Sequence, residues 1–438
     1  MIGNLVQVDD ASGLEPVHPR DRVWLQDSPE NLMVINSIWT LETIDAETLR
    51  RIWQERVLDL VIDGEHPYER FTKCVVAKGR RVFWRPDPDF DLANHIFEID
   101  EPRLRSREGL QDYLGEHASK PLPMEHPPWQ LRIIKDFDEG QSAVVIRLHH
   151  VLGDGMGLLP VLFSMMDVGD GDPQKQPTTR GMGARMGQIV AKSLVVGGPL
   201  LAERAFRRAD RSVFHGAKLS GEKRFAWTPP IDLGEIKAAK NRLAATVNDV
   251  LVTVVAGGLR RYADRHPGEV PENVSVNMPV NVRYPGERPT MDNRFGAVLV
   301  ELPVGIKDGR RRLTEVRRRM DAIKRSVEPF IYYGSASMML KTLPAFLSRA
   351  VVDHYASKSS AVMSNVPGPR EGLSVAGRQV KGMLFWVPQR ANIGLGISIL
   401  SFSNEVRIGI YSDTAIVSSP SELIDDMLDE LDYLLKRA

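Results

Sequence analysis

Short apolar runs alternate with helix-like patterns along most of the chain. In the first half, apolar residues at helical spacing predict a helix over Gly109 to His117, and the continuous apolar run Ser142 to Leu148 predicts a buried strand. The second half repeats the alternation, with predicted helices at Leu233 to Lys240, Val247 to His266, Arg311 to Ser326 and Pro420 to Lys436, and predicted strands at Ser275 to Val280, Ala297 to Leu302 and Gly394 to Phe402. Strands that alternate with helices are typical of an α/β fold.

A polar stretch rich in glycine, with a proline, separates the two halves. It runs from Gly169 to Gly187 and is followed by an apolar helix candidate from Gln188 to Arg208. The chain has 438 residues, which is beyond the size at which a single hydrophobic core usually stops growing. We therefore predict an N-terminal lobe over residues 1–170, an inter-lobe linker and helix over 171–225, and a C-terminal lobe over 226–438.

The composition is that of a folded protein and excludes few functions. Hydrophobic residues make up 42% of the chain and charged residues 26%. The 57 basic and 57 acidic residues give a formal net charge of +0, so the overall charge does not predict a nucleic-acid partner. The lone cysteine, Cys74, excludes an internal disulfide and is typical of a reducing compartment.

Nothing in the sequence predicts targeting to, or passage through, a membrane. The first residues lack the basic and apolar regions of a signal peptide. The most apolar stretches, Ile189 to Ala202 and Phe330 to Val352, are interrupted by lysine, glycine or proline. We therefore expect a cytoplasmic protein without a transmembrane segment.

The segment most informative about chemistry is H-H-x-x-x-D-G, which begins at His149 and ends at Gly155. It follows the predicted strand directly, so His149 and His150 point to opposite faces, and we expect only one of them to be catalytic. A lone histidine in a strand is more often a core residue, but this composite pattern arises by chance on the order of once in a thousand chains of this length. Two adjacent strand histidines without a third ligand make a poor zinc site, so we predict no metal.

These residues resemble the HHxxxDG signature of the wax ester synthase/diacylglycerol acyltransferase family, within the chloramphenicol-acetyltransferase-like superfamily. The resemblance extends to the family's ND, P-V-x-x-R, N-x-x-G and S/T-N-V-P-G-P motifs, which match Ala245 to Leu251, Met278 to Arg283, Asn293 to Gly296 and Ser364 to Pro369. In order and spacing the matches cover the chain from about residue 25 to its end. The resemblance implies an α/β fold of two chloramphenicol-acetyltransferase-like lobes with mixed sheets and an active site at the lobe interface.

The resemblance also implies a role for the second histidine. His150 would remove the proton from an acceptor hydroxyl as that hydroxyl attacks the thioester of acyl-CoA, since an unperturbed imidazole is neutral and basic at cytosolic pH. The thioester is already activated and the chain has no G-x-S-x-G nucleophile elbow, so direct transfer in a ternary complex is expected. Acyl-CoA would be a co-substrate, and no cofactor is implied.

Further site residues follow from the same motifs. Asn248 would donate a hydrogen bond to the thioester oxygen, although Thr246 and Asp249 beside it also fit a helix-capping box. We include His149 and Asp154 in the catalytic set, while a structural role for Asp154, pairing with an arginine or shaping the turn, stays open. The candidate substrate-binding residues are those of the motif turns, where a Cβ or an amide would meet a ligand: Gly155, Gly157, Asn293 and Asn365.

The acceptor implied by the resemblance is diacylglycerol or a long-chain alcohol, with possible contact to a membrane or lipid-droplet surface as a peripheral partner. Pro123 and Gln130 stand where the family has acidic residues, which leaves the acceptor open. One alternative is an acyltransferase or condensation-type enzyme that uses a carrier-bound donor and a non-lipid acceptor. Another is a lipid-surface binding protein without turnover, against which the intact His150 argues.

Two peripheral features allow more than one interpretation. The basic run from Arg310 to Arg325 is either a solvated helix face or a surface that attracts phosphates of CoA or of anionic lipids. The apolar residues of Phe330 to Gly334, Met338 to Leu340, Leu343 and Phe346 to Leu347 could line an acyl tunnel or dock on a membrane. For these residues the sequence favours ordinary core.

Overall fold

The computed structural model describes residues 5–138, 140–167, 196–283 and 290–437. The predicted connection Gly169 to Gly187 lies outside the described residues, as does the first part of the predicted helix Gln188 to Arg208. The described end of that helix covers residues 196–206.

The described residues form strands of two to nine residues. In chain order they are β1 (Val6–Gln7), β2 (Glu15–Pro16), β3 (Val34–Glu42), β4 (Lys73–Lys78), β5 (Arg81–Pro86), β6 (Ile96–Glu98), β7 (Trp129–Phe137), β8 (Gln141–His149), β9 (Lys223–Trp227), β10 (Ile231–Asp232), β11 (Val274–Asn281), β12 (Phe295–Leu302), β13 (Ala361–Pro367), β14 (Ser374–Val375), β15 (Arg378–Trp386), β16 (Leu395–Phe402) and β17 (Glu405–Asp413).

The helices range from a single turn to about five turns. They are α1 (Pro19–Arg22), α2 (Ala46–Trp53), α3 (Arg107–Ala118), α4 (Gly155–Met165), α5 (196–206), α6 (Leu233–Arg242), α7 (Val247–Arg265), α8 (Gly309–Arg325), α9 (Glu328–Thr342), α10 (Ala345–Ala356) and α11 (Pro420–Arg437). Each predicted helix and strand in the described residues is confirmed, with bounds that differ by no more than two residues.

The N-terminal lobe is built on a six-stranded sheet in the order β14-β15-β3-β8-β7-β6. The predicted strand Ser142 to Leu148 is its central strand β8, which is buried on both faces because apolar clusters cover each side. The last pair, β6 and β7, is parallel, whereas the others are antiparallel. A small sheet in the order β1-β4-β5-β2 belongs to the same lobe. The end of β8 is where the H-H pair sits.

The C-terminal lobe contains a seven-stranded sheet in the order β10-β17-β16-β13-β11-β12, with β9 paired to β17. Strands β11, β13 and β16 are parallel and the other pairs antiparallel. Helix α7 is buried along most of its length and packs against the sheet core, α8 and α11. Both large sheets are therefore mixed, and the predicted fold class is confirmed.

The chain crosses between the lobes more than once. Strands β14 and β15, from the C-terminal half, pair into the N-terminal sheet through β3, before β16 and β17 return to the other sheet. Aromatic residues fill the junction, among them Trp227, Trp386 and Tyr411. The predicted division at residues 170 and 225 remains a prediction, but the strand exchange means that the two lobes share one folded unit.

The interpretation of residues 330–347 as ordinary core is wrong for most of them. Met338 is 70% exposed and Phe346 67% exposed, and Leu343 and Leu347 are also exposed, whereas Ile331 and Leu340 are buried. Helices α9 and α10 lie on the surface and bury only the face that packs inward, which a sequence this apolar does not reveal. Among the described residues, no single helix is long and apolar enough to span a membrane, although the bent pair α6 and α7 passes that test by length and composition.

Candidate active site

His150 lies directly after β8, in the turn that leads to α4. Its backbone N–H donates to the carbonyl oxygen of Met33 at 2.7 Å, which ties the turn to the loop before β3. The side chain is 6% exposed. His150 therefore lies at the carboxyl end of a central strand, where the neighbouring segments cover it.

Two aromatic rings frame the imidazole of His150. The indole of Trp24 stacks on it with ring centroids 3.8 Å apart and an interplanar angle of 15°. The ring of Phe295, the first residue of β12, lies 6.1 Å away at 52°. Because Trp24 belongs to the N-terminal lobe and Phe295 to the C-terminal sheet, His150 is placed at the lobe interface, as predicted.

Burial keeps the imidazole of His150 neutral. Removal from water lowers its pKa to about 3, because the charged form loses its hydration. Its Nδ1 atom is buried and has no hydrogen-bond partner of normal geometry among the described residues. The ring is thus unprotonated across the physiological pH range.

His149 makes a different set of contacts. Its Nε2 lies 3.2 Å from a carboxylate oxygen of Asp27, and its Nδ1 accepts from the backbone N–H of Val151 at 3.2 Å. Since Nδ1 accepts, Nε2 carries the proton and donates to Asp27. Burial alone would raise the pKa of Asp27, but the hydrogen bonds from His149 and from the Met33 N–H outweigh it and lower the pKa. His149 therefore anchors the loop that also holds His150.

Asp154 links the two lobes and begins α4. One carboxylate oxygen accepts from the backbone N–H of Gly157 at 2.8 Å, which caps the helix. The other accepts from the Arg283 guanidinium at 3.0 Å and from the Arg294 N–H at 2.7 Å. Burial raises the pKa of Asp154, and Arg283 opposes that shift. These contacts, with an arginine and with the first turn of a helix, are the ones expected if Asp154 has a structural role. A catalytic role for Asp154 stays a prediction.

Asn293 holds the backbone of His150 through a hydrogen bond. Its side-chain amide donates to the carbonyl oxygen of His150 at 3.1 Å and to the Asp21 carboxylate at 2.8 Å. Asp21 is fully buried and lies 3.0 Å from the guanidinium of Arg70. Asn293, predicted to contact substrate, therefore holds the backbone of the site, and its direct contact with a ligand remains a prediction.

The glycines of the turn allow close approach of another backbone segment. A Cβ on Gly157 would lie 2.7 Å from the Thr290 carbonyl oxygen, and one on Gly153 would lie 2.2 Å from the carbonyl oxygen of Met291. A Cβ on Gly155 would meet no protein atom within 4 Å. At Gly157 the space is thus taken by protein, while ligand contact at Gly155 and Gly157 stays a prediction.

Asn248 and Asn365 form one hydrogen-bonded pair. The Asn365 amide donates to the Asn248 side-chain oxygen at 2.8 Å, which leaves the Asn248 NH₂ group free to donate elsewhere. Asn365 lies near the carboxyl end of β13, the same end of the sheet at which β12 begins with Phe295. The capping box of Thr246 and Asp249 at the start of α7 is also present.

The sequence did not predict four residues that support the site. Trp24 stacks on His150, Asp27 bonds to His149, and Asp21 bonds to Asn293 and pairs with Arg70. They lie in short helical turns and one loop without a motif, so no sequence signal marked them. Trp24 is itself held by the other lobe, because Arg390 donates to the Val23 carbonyl at 3.2 Å. The described residues contain no group of three or more histidine, cysteine, aspartate or glutamate side chains that could hold a metal.

A two-lobed mixed α/β fold with a buried HHxxxDG histidine at the lobe interface defines a class of acyltransferases. The wax ester synthase/diacylglycerol acyltransferase catalytic domain matches residues 19–197, and the C-terminal domain of the same family matches residues 291–435. The chain belongs to this family, and it is an acyltransferase.

Several known proteins are similar to this chain over most of their length. Wax ester synthase/diacylglycerol acyltransferase 2 of Arabidopsis thaliana is 27% identical and aligns with 97% of this chain and 95% of its own. A Mycobacterium tuberculosis protein, provisionally named a diacylglycerol O-acyltransferase, is 28% identical over 81% of each chain. The solved wax ester synthase/diacylglycerol acyltransferase of Marinobacter aquaeolei superposes with a TM-score of 0.69 at 20% identity, over 96% of this chain and 98% of that one. This last similarity supports the fold.

Proposed function

We propose that the protein transfers a fatty acyl group from acyl-CoA to the hydroxyl of diacylglycerol or a long-chain alcohol, with His150 as general base. The observation that carries the proposal is the buried, neutral imidazole at the lobe interface, where two substrates from opposite sides could meet. The family membership supports a lipid acceptor. Acyl-CoA is the donor, and no further cofactor is required.

In the proposed step, the acceptor oxygen attacks the thioester carbonyl carbon as His150 takes the hydroxyl proton. The tetrahedral intermediate then collapses, the carbon–sulfur bond breaks, and the proton passes to the sulfur of the departing CoA. The free NH₂ group of Asn248 would stabilise the negative charge that develops on the thioester oxygen. Its orientation is supported by the hydrogen bond from Asn365.

The experiment that tests this function measures release of free CoA from palmitoyl-CoA with hexadecanol, with diacylglycerol or without acceptor. Release that depends on a lipid alcohol, together with the matching ester in the products, is the expected result. Folded protein that releases no CoA with either alcohol would contradict the proposal. Turnover with a carrier-bound donor in that case would favour the condensation-type alternative.

Trp24 stacks on the buried imidazole of His150 and, in this proposal, helps to keep water from it, so its removal should change the pH profile. In the wild type, kcat/KM should stay flat from pH 8 to pH 5, because the pKa of His150 is lowered to about 3 and the active neutral form persists. In Trp24→Ala, water reaches the ring and its pKa should return toward ~6.5, so kcat/KM at pH 5.5 should fall roughly tenfold below its plateau.

Trp24→Phe is the matched control for this pH profile, because phenylalanine keeps an aromatic cover over His150. His149 and Asp27 are unchanged in both variants, so they do not account for a difference between the two pH profiles. A Trp24→Ala enzyme that loses the same fraction of activity at every pH would refute the role in titration.

We also propose that the protein touches a lipid surface through six exposed apolar residues, which we call the apolar surface: Phe206, Met338, Leu343, Phe346, Leu347 and Val351. Helix α10 carries three of them on one face. Helix α10, which carries Phe346, lies against α5, which carries Phe206, because the His354 Nε2 atom bonds to the Ala205 carbonyl oxygen at 2.8 Å. Exposed Lys341 beside it suits an anionic membrane.

The position of the apolar surface relates it to the active site. Helix α9 contacts α1, where Arg22 donates to the Leu340 carbonyl oxygen at 3.3 Å. Arg22 is two residues before Trp24. A lipid acceptor leaving the membrane at this surface would thus be close to the aromatic cover of His150.

Phe346→Asp should weaken binding to phosphatidylglycerol vesicles roughly tenfold, since a large apolar side chain is replaced by a charge that repels anionic lipid. Activity on diacylglycerol dispersed in vesicles should fall in parallel, while activity on a short soluble alcohol should not change. Val61→Asp alters an exposed apolar residue outside the apolar surface and serves as control. Equal vesicle binding by both variants would contradict the proposal that α10 contacts the lipid surface.

A further inference from the structure

A cavity of about 290 Å³ lies between the end of α6 and the first turns of α8. Its walls include Arg242 of α6 and Arg310, Thr314 and Arg317 of α8. Among the described residues that line it, none is acidic. Three guanidinium groups around one cavity create a positive potential in a chain whose net charge is +0.

The arginines of this cavity differ from their neighbours on α8. Arg318 and Arg319 both form ion pairs with Glu315, at 2.7 and 2.6 Å. Within the parts of the chain that the structure describes, Arg242 and Arg317 form no ion pair. Their charges are therefore available to a bound anion, whereas Arg318 and Arg319 share the single carboxylate of Glu315.

The cavity adjoins the residues proposed to act on the thioester. Arg317 donates to the carbonyl oxygen of Ala244, in the connection from α6 to α7. Asn248 follows four residues later and bonds to Asn365. From Arg242 to Asn248 the chain can span at most ~20 Å. A flexible ligand held at Asn248 could therefore reach the cavity with its other end.

We propose that this cavity binds the phosphate groups of the coenzyme A part of the acyl donor, an inference that rests on the function proposed above. Coenzyme A carries a pyrophosphate and a 3′-phosphate, joined to the thioester by the flexible pantetheine arm. Guanidinium groups bind phosphate oxygens in pairs, with charge and geometry matched. The phosphate of an anionic lipid headgroup offers the same chemistry, but the proximity of Asn248 favours the donor.

The test compares two donors, palmitoyl-CoA and palmitoyl-pantetheine, of which the second lacks the phosphates together with the adenosine that carries them. Arg242→Ala and Arg317→Ala should each raise KM for palmitoyl-CoA roughly tenfold, the loss expected for one charge-assisted contact. KM for palmitoyl-pantetheine should not change, nor should kcat with either donor. Arg318→Ala, one residue further along α8, is the matched control and should leave both KM values unchanged.

Binding of adenosine 3′,5′-bisphosphate, measured by calorimetry, gives a readout that does not depend on turnover. It should weaken in Arg242→Ala and Arg317→Ala and persist in Arg318→Ala. Equal KM changes with both donors, or none, would overturn the proposal. Weaker binding to phosphatidylglycerol vesicles at an unchanged KM for palmitoyl-CoA would overturn it in favour of a lipid headgroup.

These outcomes separate the cavity from the proposed function. If the wild type turned over neither donor but still bound the bisphosphate in an Arg317-dependent manner, the phosphate site would be supported and the acyltransfer proposal would fail. If turnover were normal and bisphosphate binding were insensitive to Arg242 and Arg317, acyltransfer would stand and the cavity assignment would fail.

Discussion

Replacing His150 by alanine should reduce ester formation from acyl-CoA by roughly 10²- to 10⁴-fold, the range typical for loss of a positioned general base. The physical reason is that the described side chains in ring or hydrogen-bond contact with His150 belong to Trp24, Phe295 and Asn293, none of which can take its place as a base. The measurement is the initial rate of CoA release with hexadecanol or diacylglycerol, together with the ester formed.

His149→Ala is the control that separates chemistry from structure. His149 bonds to Asp27 and to the backbone of Val151, so its loss should lower the unfolding temperature. His150→Ala should still be folded under assay conditions, because the His150 backbone bonds to Met33 and Asn293 do not need the ring. Its unfolding temperature should fall by the loss of the stacking on Trp24. A His150→Ala protein that keeps more than about a tenth of wild-type activity would remove this residue from the role of base.

Asp154→Ala should lower the free energy of unfolding by about 3–5 kcal/mol, the cost of leaving one member of a buried ion pair without its partner. The Arg283 and Asp154 side chains are only 9% and 6% exposed and lie 3.0 Å apart. The same substitution removes the cap of α4 at Gly157, which adds to the loss. Urea-induced unfolding followed by tryptophan fluorescence measures the effect.

A double-mutant cycle isolates the ion pair from the cap. Arg283→Ala should lower the free energy of unfolding less than Asp154→Ala does, because Asp154 still accepts hydrogen bonds from the N–H groups of Gly157 and Arg294. The double variant should be more stable than the sum of the two losses predicts, because neither charge is then buried alone. Arg318→Ala, in an exposed pair with Glu315, should cost less than about 1 kcal/mol. Additive losses in the cycle would contradict direct coupling across the lobes.

The contact between Asp154 and Arg283 joins two motifs that are far apart in the sequence. Asp154 belongs to the HHxxxDG segment of the N-terminal lobe and Arg283 to the P-V-x-x-R strand of the C-terminal lobe. Asn293, from the N-x-x-G turn, adds a third link through the His150 carbonyl oxygen. The motifs thus hold the lobes in register around the imidazole, which explains how a site at an interface keeps its geometry.

Local pattern was enough to predict the helices and strands, while the role of His150 stays a prediction. The apolar run before His149 is long and continuous because β8 is buried on both faces, and such strands leave a clear sequence signal. The capping box at Thr246 and Asp249 likewise depends on residues three apart. The choice between His149 and His150 also followed from strand alternation together with the family motif.

Other features depend on which surfaces meet after folding. The exposure of Met338 and Phe346 was not predictable, because an apolar surface helix and a core helix have similar composition. The strand exchange through β15 brings a late segment into the first sheet, and no local pattern encodes partner choice.

The sequence by itself determined the helices and strands, the α/β class and the motif that contains His150, because these depend on short-range periodicity and residue identity. Only the tertiary structure decided that Trp24 covers His150, that Asp27 holds His149, that Arg283 pairs with Asp154 and that Arg242 and Arg317 share one cavity. The physical reason is that burial, pKa and charge pairing arise from contacts between segments distant in the chain, and the pattern of one segment carries no record of its partner.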